Sequence, residues 1–164
     1  IKHVPGHGSV KGDTHKGFVN AKETFKKEEL LPYQNLKSYD KMNTVMVSHI
    51  FNPNFDEKYP ASLSNKTING LLKEKIGCKG VIVSDDFDMG AIKKNFSLEE
   101  TVTLAINSGV NLMIFSDNIT PSKNPKTVEK IHKIVKKGIK KGTIKKEEIE
   151  NSYNKILELK ETLK

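Results

Sequence analysis

The chain has 164 residues, 35% of them hydrophobic, a mean hydropathy of −0.53 and a formal net charge of +8. That length suits one domain with a core of its own; no apolar run approaches the roughly 18 residues of a membrane span, and the single cysteine, Cys78, excludes an internal disulfide or a cysteine-based zinc cluster. The charge excess sits at the C-terminal end, +7 over residues 121–164 against +1 before them, and all 28 basic residues are Lys with no Arg, which argues against a nucleic-acid reader, since such proteins favour the bidentate fork of Arg.

Taken in chain order, residues 1–3 read as the end of a strand. Residues 6–39 contain no convincing strand, and their first part is Gly- and His-rich, as an active-site loop would be. Residues 44–49 (TVMVSH) form a short apolar, β-branched run. Residues 63–76 predict a helix with Ser64 as N-cap, closely followed by Cys78 as a small packing residue. Residues 80–84 (GVIVS) predict a second strand running straight into Asp85, Asp86 and Asp88. A helix over 98–107 closes at Gly109, and a third strand over 110–115 ends in Ser116 and Asp117. Residues 126–141 and 145–163 predict two amphipathic helices separated by Gly142; His132 falls on the surface of the first.

Three short, apolar, unalternated strands alternating with helices indicate parallel strands covered on both faces. Each delivers a polar group just past its C-terminal end: His49, Asp85 and Asp117. Both a (β/α)8 barrel and a doubly wound sheet bind ligands there, and periodicity does not choose between them. A complete barrel needs eight strands and roughly 250 residues. If the fold is a TIM-type α/β barrel, residues 1–164 are then one partial catalytic domain, about half a barrel, with its first strands upstream. The chain does not open with Met, so a targeting segment can precede it and its localisation stays open.

The chemistry concentrates in two places. Lys2, His3, His7, Asp13 and His15 fall within 14 residues, among Pro and Gly that signal special backbone geometry. In an extended segment, residues two apart project to the same side, so Asp13 can hold one ring nitrogen of His15 and support its imidazolium. That pairing suits a general acid/base; a solvated loop pair is the bland alternative. A metal site drawn from His3, His7, Asp13, His15 and His49 is a rival, but Pro5-Gly6 forbids a helical zinc motif between His3 and His7. At the second place, Asp85 lies closest to the end of the buried run and can serve as nucleophile, base or ligand, whereas Asp86 and Asp88 suit capping of the next helix.

Together these stretches resemble the family 3 glycoside hydrolases, in their bacterial β-N-acetylglucosaminidase (β-hexosaminidase) branch. Lys2-His3-Val4-Pro5-Gly6-His7-Gly8, four residues, then Asp13-Thr14-His15 is similar to the family's K-H-F-P-G-H-G-x4-D-x-H loop. Leu30-Leu31-Pro32-Tyr33, Val45-Met46-Val47-Ser48-His49, Pro60-Ala61-Ser62-Leu63-Ser64, Gly80 through Met89 and Ser108-Gly109-Val110-Asn111 resemble later family segments in the same order. The last 40 or so residues match only as helices. The departures are Val4 for Phe, Ser9-Val10 for Asp-Thr, and Asn111 for Asp; the family's upstream Asp and Arg have no counterpart here.

The resemblance implies a retaining hydrolase of terminal β-linked N-acetylglucosamine, acting on peptidoglycan fragments or chitin-type sugars with no cofactor or metal. Asp85 would be the nucleophile, His15 the acid/base and Asp13 its orienting partner. Lys2 and His3 match positions that contact sugar hydroxyls, and His7 and His49 match positions near the site, so all four are substrate-binding candidates. The alternatives are a family 3 β-glucosidase, which lacks the Asp-His pair, a metal-dependent hydrolase, and a sugar-binding module without turnover.

Overall fold

The computed structural model describes residues 1–37, 43–116 and 126–163. Three strands form a parallel sheet in the order β1 (Thr44–Val47), β2 (Val81–Asp86), β3 (Leu112–Ile114). All three predicted strands are therefore present; β1 ends two residues early, β3 is shorter at both ends, and β2 starts one residue late but runs two residues further, so that it includes Asp85 and Asp86; Asp117 lies outside the described residues. β1 and β2 pair in unbroken register from Thr44↔Val81 to Val47↔Ser84, whereas the β2–β3 register slips between Val83↔Leu112 and Asp86↔Ile114. On the free side of β1, residues 1–4 run parallel to it. Met46 N–H donates to Ile1 O, Val4 N–H to Met46 O and Ser48 N–H to Val4 O, at 2.8–2.9 Å. The expected strand end at residues 1–3 is thus an extended segment joined to β1 through Val4 and Val47.

Residues 27–37 hold a short 3-10 turn (Lys27–Leu30) followed by helix α1 (Leu31–Lys37). The predicted helix after β1 is present over Lys66–Lys75, but wound with the wider π-type turn: Ile76 N–H bonds Leu71 O, five residues back. Ser64 caps it as predicted, its Oγ accepting from Thr67 N–H at 2.9 Å while donating to the buried Asp56 carboxylate at 2.7 Å. A four-residue helix, α2 (Gly90–Lys93), follows β2. Helix α3 (Leu98–Ser108) starts in a reciprocal capping box between Ser97 and Glu100 and stops at Gly109, whose φ of 91° is left-handed. Helices α4 (Thr127–Lys141) and α5 (Lys146–Glu161) are separated by Gly142 with φ 71°.

The core packs Val4, Val45, Val47, Ile82, Ile68 and Leu72 between the sheet and the helices, with Cys78 inside it. A second cluster joins α3, α4 and the loop residue Ile144. Asn111 is a tie: its Oδ1 accepts from Ile82 N–H at 2.8 Å and its Nδ2 donates to Ser152 of α5 at 3.0 Å. The sheet differs from the expectation of two covered faces. Val45 and Val47 are wholly buried, but Met46, its register partner Val83 and the next partner Leu112 form an apolar row on the other face that is only half-buried, Leu112 being 39% exposed.

Candidate active site

The C-terminal end of β2 delivers Asp85, its side chain 19% exposed, towards the loop formed by residues 3–17. Its Oδ1 accepts from Asp86 N–H at 2.9 Å, which turns the carboxylate, and its Oδ2 lies 3.9 Å from His3 Nε2. His3, His7, Gly12, Asp13, Thr14, His15 and Asp85 line one open cleft of about 260 Å³. The sequence therefore separates by 70 residues two groups that the fold brings to one cleft: the Asp-His pair and the β2 carboxylate.

Asp13 and His15 are paired as the two-residue spacing predicts. Asp13 Oδ1 accepts from both His15 N–H, at 3.0 Å, and ring Nδ1–H, at 2.8 Å. Those two hydrogen bonds, backbone first, hold the Asp13 carboxyl below its ordinary range, so it stays ionised through mild acid. The bond to Nδ1 fixes the tautomer and leaves Nε2 as the nitrogen able to exchange a proton with a ligand. The pair is largely exposed, so His15 Nε2 is open to a ligand in the cleft.

His3 is half-buried. Burial pushes its pKa down, against the pull of the Asp85 charge, so near neutral pH it is an uncharged imidazole able to exchange hydrogen bonds with a hydroxyl. His7 lies edge-on to His3, ring centres 6.2 Å apart, with Nε2 3.4 Å from Thr14 Oγ1. Lys2 is exposed and stands outside the residues that line the cleft.

His49 is placed differently from the other candidates. It is wholly buried, stacked on Phe87 at 5.4 Å, with Nδ1 2.7 Å from Ser62 Oγ and Nε2 donating to Asp86 O at 2.9 Å. Both ring nitrogens are occupied, so it offers a sugar nothing. Its imidazole instead braces the turn that follows Asp85, and burial holds it neutral by pushing its pKa down. Asp86 is likewise a fastening: its carboxylate accepts from Asp88 N–H, Ser116 N–H and Ser116 Oγ–H, tying the ends of β2 and β3. Asp88 pairs with Lys93 at 2.9 Å. Among the described residues, no group of three or more His, Cys, Asp or Glu could hold a metal ion.

Two supports escaped the sequence reading. Glu29 accepts from Gly8 N–H, Ser9 Oγ–H and Lys26 N–H and so clamps the glycine-rich loop. Burial alone would raise its carboxyl, but these donors overcome it and hold the pKa below the ordinary value. Tyr33 donates its hydroxyl to His3 O at 2.8 Å. A Glu four residues before a buried Tyr was the available signal, but it acquires meaning only once the loop is folded back over it.

The profile of the Glycosyl hydrolase family 3 N terminal domain matches residues 1–159. Among curated proteins, the beta-hexosaminidase LpqI of Mycobacterium tuberculosis is 30% identical over 146 residues, covering 84% of this chain and 36% of its own length. Among solved structures, CbsA from Thermotoga neapolitana superposes with a TM-score of 0.88 at 33% identity, covering all of this chain and 36% of that one. The beta-N-acetylglucosaminidase from Thermotoga maritima gives 0.83 at 31% identity, covering 97% and 34%. The chain spans less than half the length of the curated relatives it matches. It belongs to glycosyl hydrolase family 3, matching that family's N-terminal domain, in the β-hexosaminidase branch.

Proposed function

We propose that the protein containing this chain is a retaining glycosidase that removes terminal β-linked N-acetylhexosamine from glycans, through a covalent glycosyl-enzyme. The observation that carries the reading is the meeting, in one cleft, of a strand-end carboxylate and a paired Asp-His. Asp85 attacks the anomeric carbon and the bond to the departing oxygen breaks. His15 gives that oxygen its proton from Nε2, while Asp13 steadies the imidazole. In the second half, His15 takes a proton from water, the water oxygen attacks the anomeric carbon, and the bond to Asp85 breaks with retention. His3 and His7 line the cleft where sugar hydroxyls would lie, and Lys2 is the more distant donor. His49 serves by fixing the turn after Asp85.

The open sheet is proposed to be one arc of a (β/α)8 barrel, with residues 1–164 as part of its catalytic domain. The sequential order of the parallel strands supports this, as does Asp85 at a C-terminal strand end. The half-buried row of Met46, Val83 and Leu112 would then face the barrel interior.

The test is hydrolysis of a chromogenic N-acetyl-β-glucosaminide by the full-length protein, wild type beside Asp85→Asn. Wild-type turnover is expected, with a loss of at least about 10³-fold in the variant because no nucleophile remains. A folded wild type inert on this sugar and on the matching glucoside would sink the reading. His15→Ala is expected to slow substrates with poor leaving groups far more than those with good ones, which need little protonation.

A further inference from the structure

The short helix α2 begins five residues after Asp85 and meets the loop that carries the Asp-His pair. Three successive carbonyl oxygens of that loop end on it. Ala91 N–H donates to Thr14 O at 3.1 Å, Gly90 N–H to His15 O at 3.0 Å, and Lys94 Nζ to Lys16 O at 2.9 Å. The two amides belong to a helical first turn, where backbone N–H groups have no partner inside the helix; here the loop is the partner. The approach requires a residue without a side chain. A Cβ at Gly90 would stand 2.7 Å from His15 O and 2.8 Å from both C and O of Lys16. All three are backbone atoms, which cannot swing aside as a flexible side-chain tip can. Just before α2, the N–H of its N-cap residue Met89 donates to Asp86 O at 3.0 Å, so the span from Asp85 to Gly90 is itself held.

We propose that Gly90 and Lys94 are positioning residues that fix where His15 stands relative to Asp85. They act through the loop backbone, and neither needs to touch the sugar. The inference rests on the reading of Asp85 and His15 given above. It makes α2 the part through which the two halves of the reaction machinery are held in common register, so its disturbance should strike proton transfer selectively.

The experiment is kcat/KM for aryl N-acetyl-β-glucosaminides whose leaving groups run from dinitrophenol to unactivated phenols, measured on the full-length protein. In Gly90→Ala, the new methyl must push the loop outwards by about half an ångström. A loss of about 10-fold or more is expected for the poorest leaving group, with the best changed by less than about 3-fold. Lys94→Met, an exposed change that leaves the core alone, is expected to lose about 3-fold on the same poor substrates, with Lys94→Arg recovering most of it. A uniform loss across the series in Gly90→Ala, or no selective loss in Lys94→Met, would overturn the positioning role. Should Gly90→Ala fail to fold, the two Lys94 variants decide alone. Turnover surviving in Asp85→Asn would mark the failure of the underlying reading instead, and the positioning role would fall with it.

Discussion

A single buried imidazole shows how this molecule spends polarity on geometry. His49 receives a hydrogen bond from Ser62 and gives one to Asp86 O, and both His49 and Ser62 are wholly buried. Replacing it by Leu strands the buried Ser62 hydroxyl, while Asp86 O keeps its bond from Met89 N–H, and is expected to cost about 1–3 kcal/mol in denaturant unfolding; His49→Gln, which keeps a polar partner there, should lose less. The same residue gives a pH signature. Its folded pKa lies below the ordinary 6.5, so the unfolded chain takes up the proton first. Its contribution is complete above about pH 6.5 and is lost as pH falls below that, towards the folded value. His3, also held low, adds in the same direction. Unfolding midpoints at pH 7.5 and 5.5 should therefore differ more in wild type than in His49→Gln; an unchanged difference would exclude His49 as the source. Glu29 acts in a lower window, its stabilisation present above about 4.5 and lost as pH falls through its depressed folded value. Asp13, His15 and Asp85 were legible as residues because a two-residue spacing and a strand end are local patterns. Glu29 and the burial of His49 were not, since each depends on contacts 13 to 37 residues away.

At the level of elements, the sequence marks starts and stops more surely than internal winding. The Ser97–Glu100 capping box, Gly109 and Gly142 all do what their residue types imply. The helix over Lys66–Lys75 is where periodicity predicts one, yet its π winding has no local signal. The two-sided use of Ser64, capping the helix while bonded to Asp56, is expected to make Ser64→Ala cost about 1–2 kcal/mol in thermal or urea unfolding. A cost within error would show the cap to be dispensable. The helices Leu31–Lys37 and Gly90–Lys93 went unread for a physical reason. They are too short to show a 3.6-residue period, and each is stabilised by what it touches: Tyr33 by the core and His3 O, and the first turn of α2 by loop carbonyls.

Across the whole molecule, the alternation of three strands with helices was readable, as was the parallel sheet it implies. The half-buried row of Met46, Val83 and Leu112 was not, because a continuous apolar run reads alike whether one face or both are covered. As the barrel arc proposed above, residues 1–164 alone would leave that row and a sheet edge open. The isolated chain is expected to unfold with a shallow, weakly cooperative transition or to associate, whereas the full-length protein unfolds sharply. A sharp transition from a monomer of the 164 residues would count against the barrel arc.

The grip of α2 on the Asp-His loop has a bearing on how such a site changes over evolutionary time. The three contacts end on carbonyl oxygens, which every amino acid carries, so the docking is indifferent to which side chains stand at the exposed positions 15 and 16. The loop can thus be exchanged like a tool in a chuck: its paired Asp and His can be altered or lost while the seat that holds them, and the carboxylate beside that seat, stay as they are.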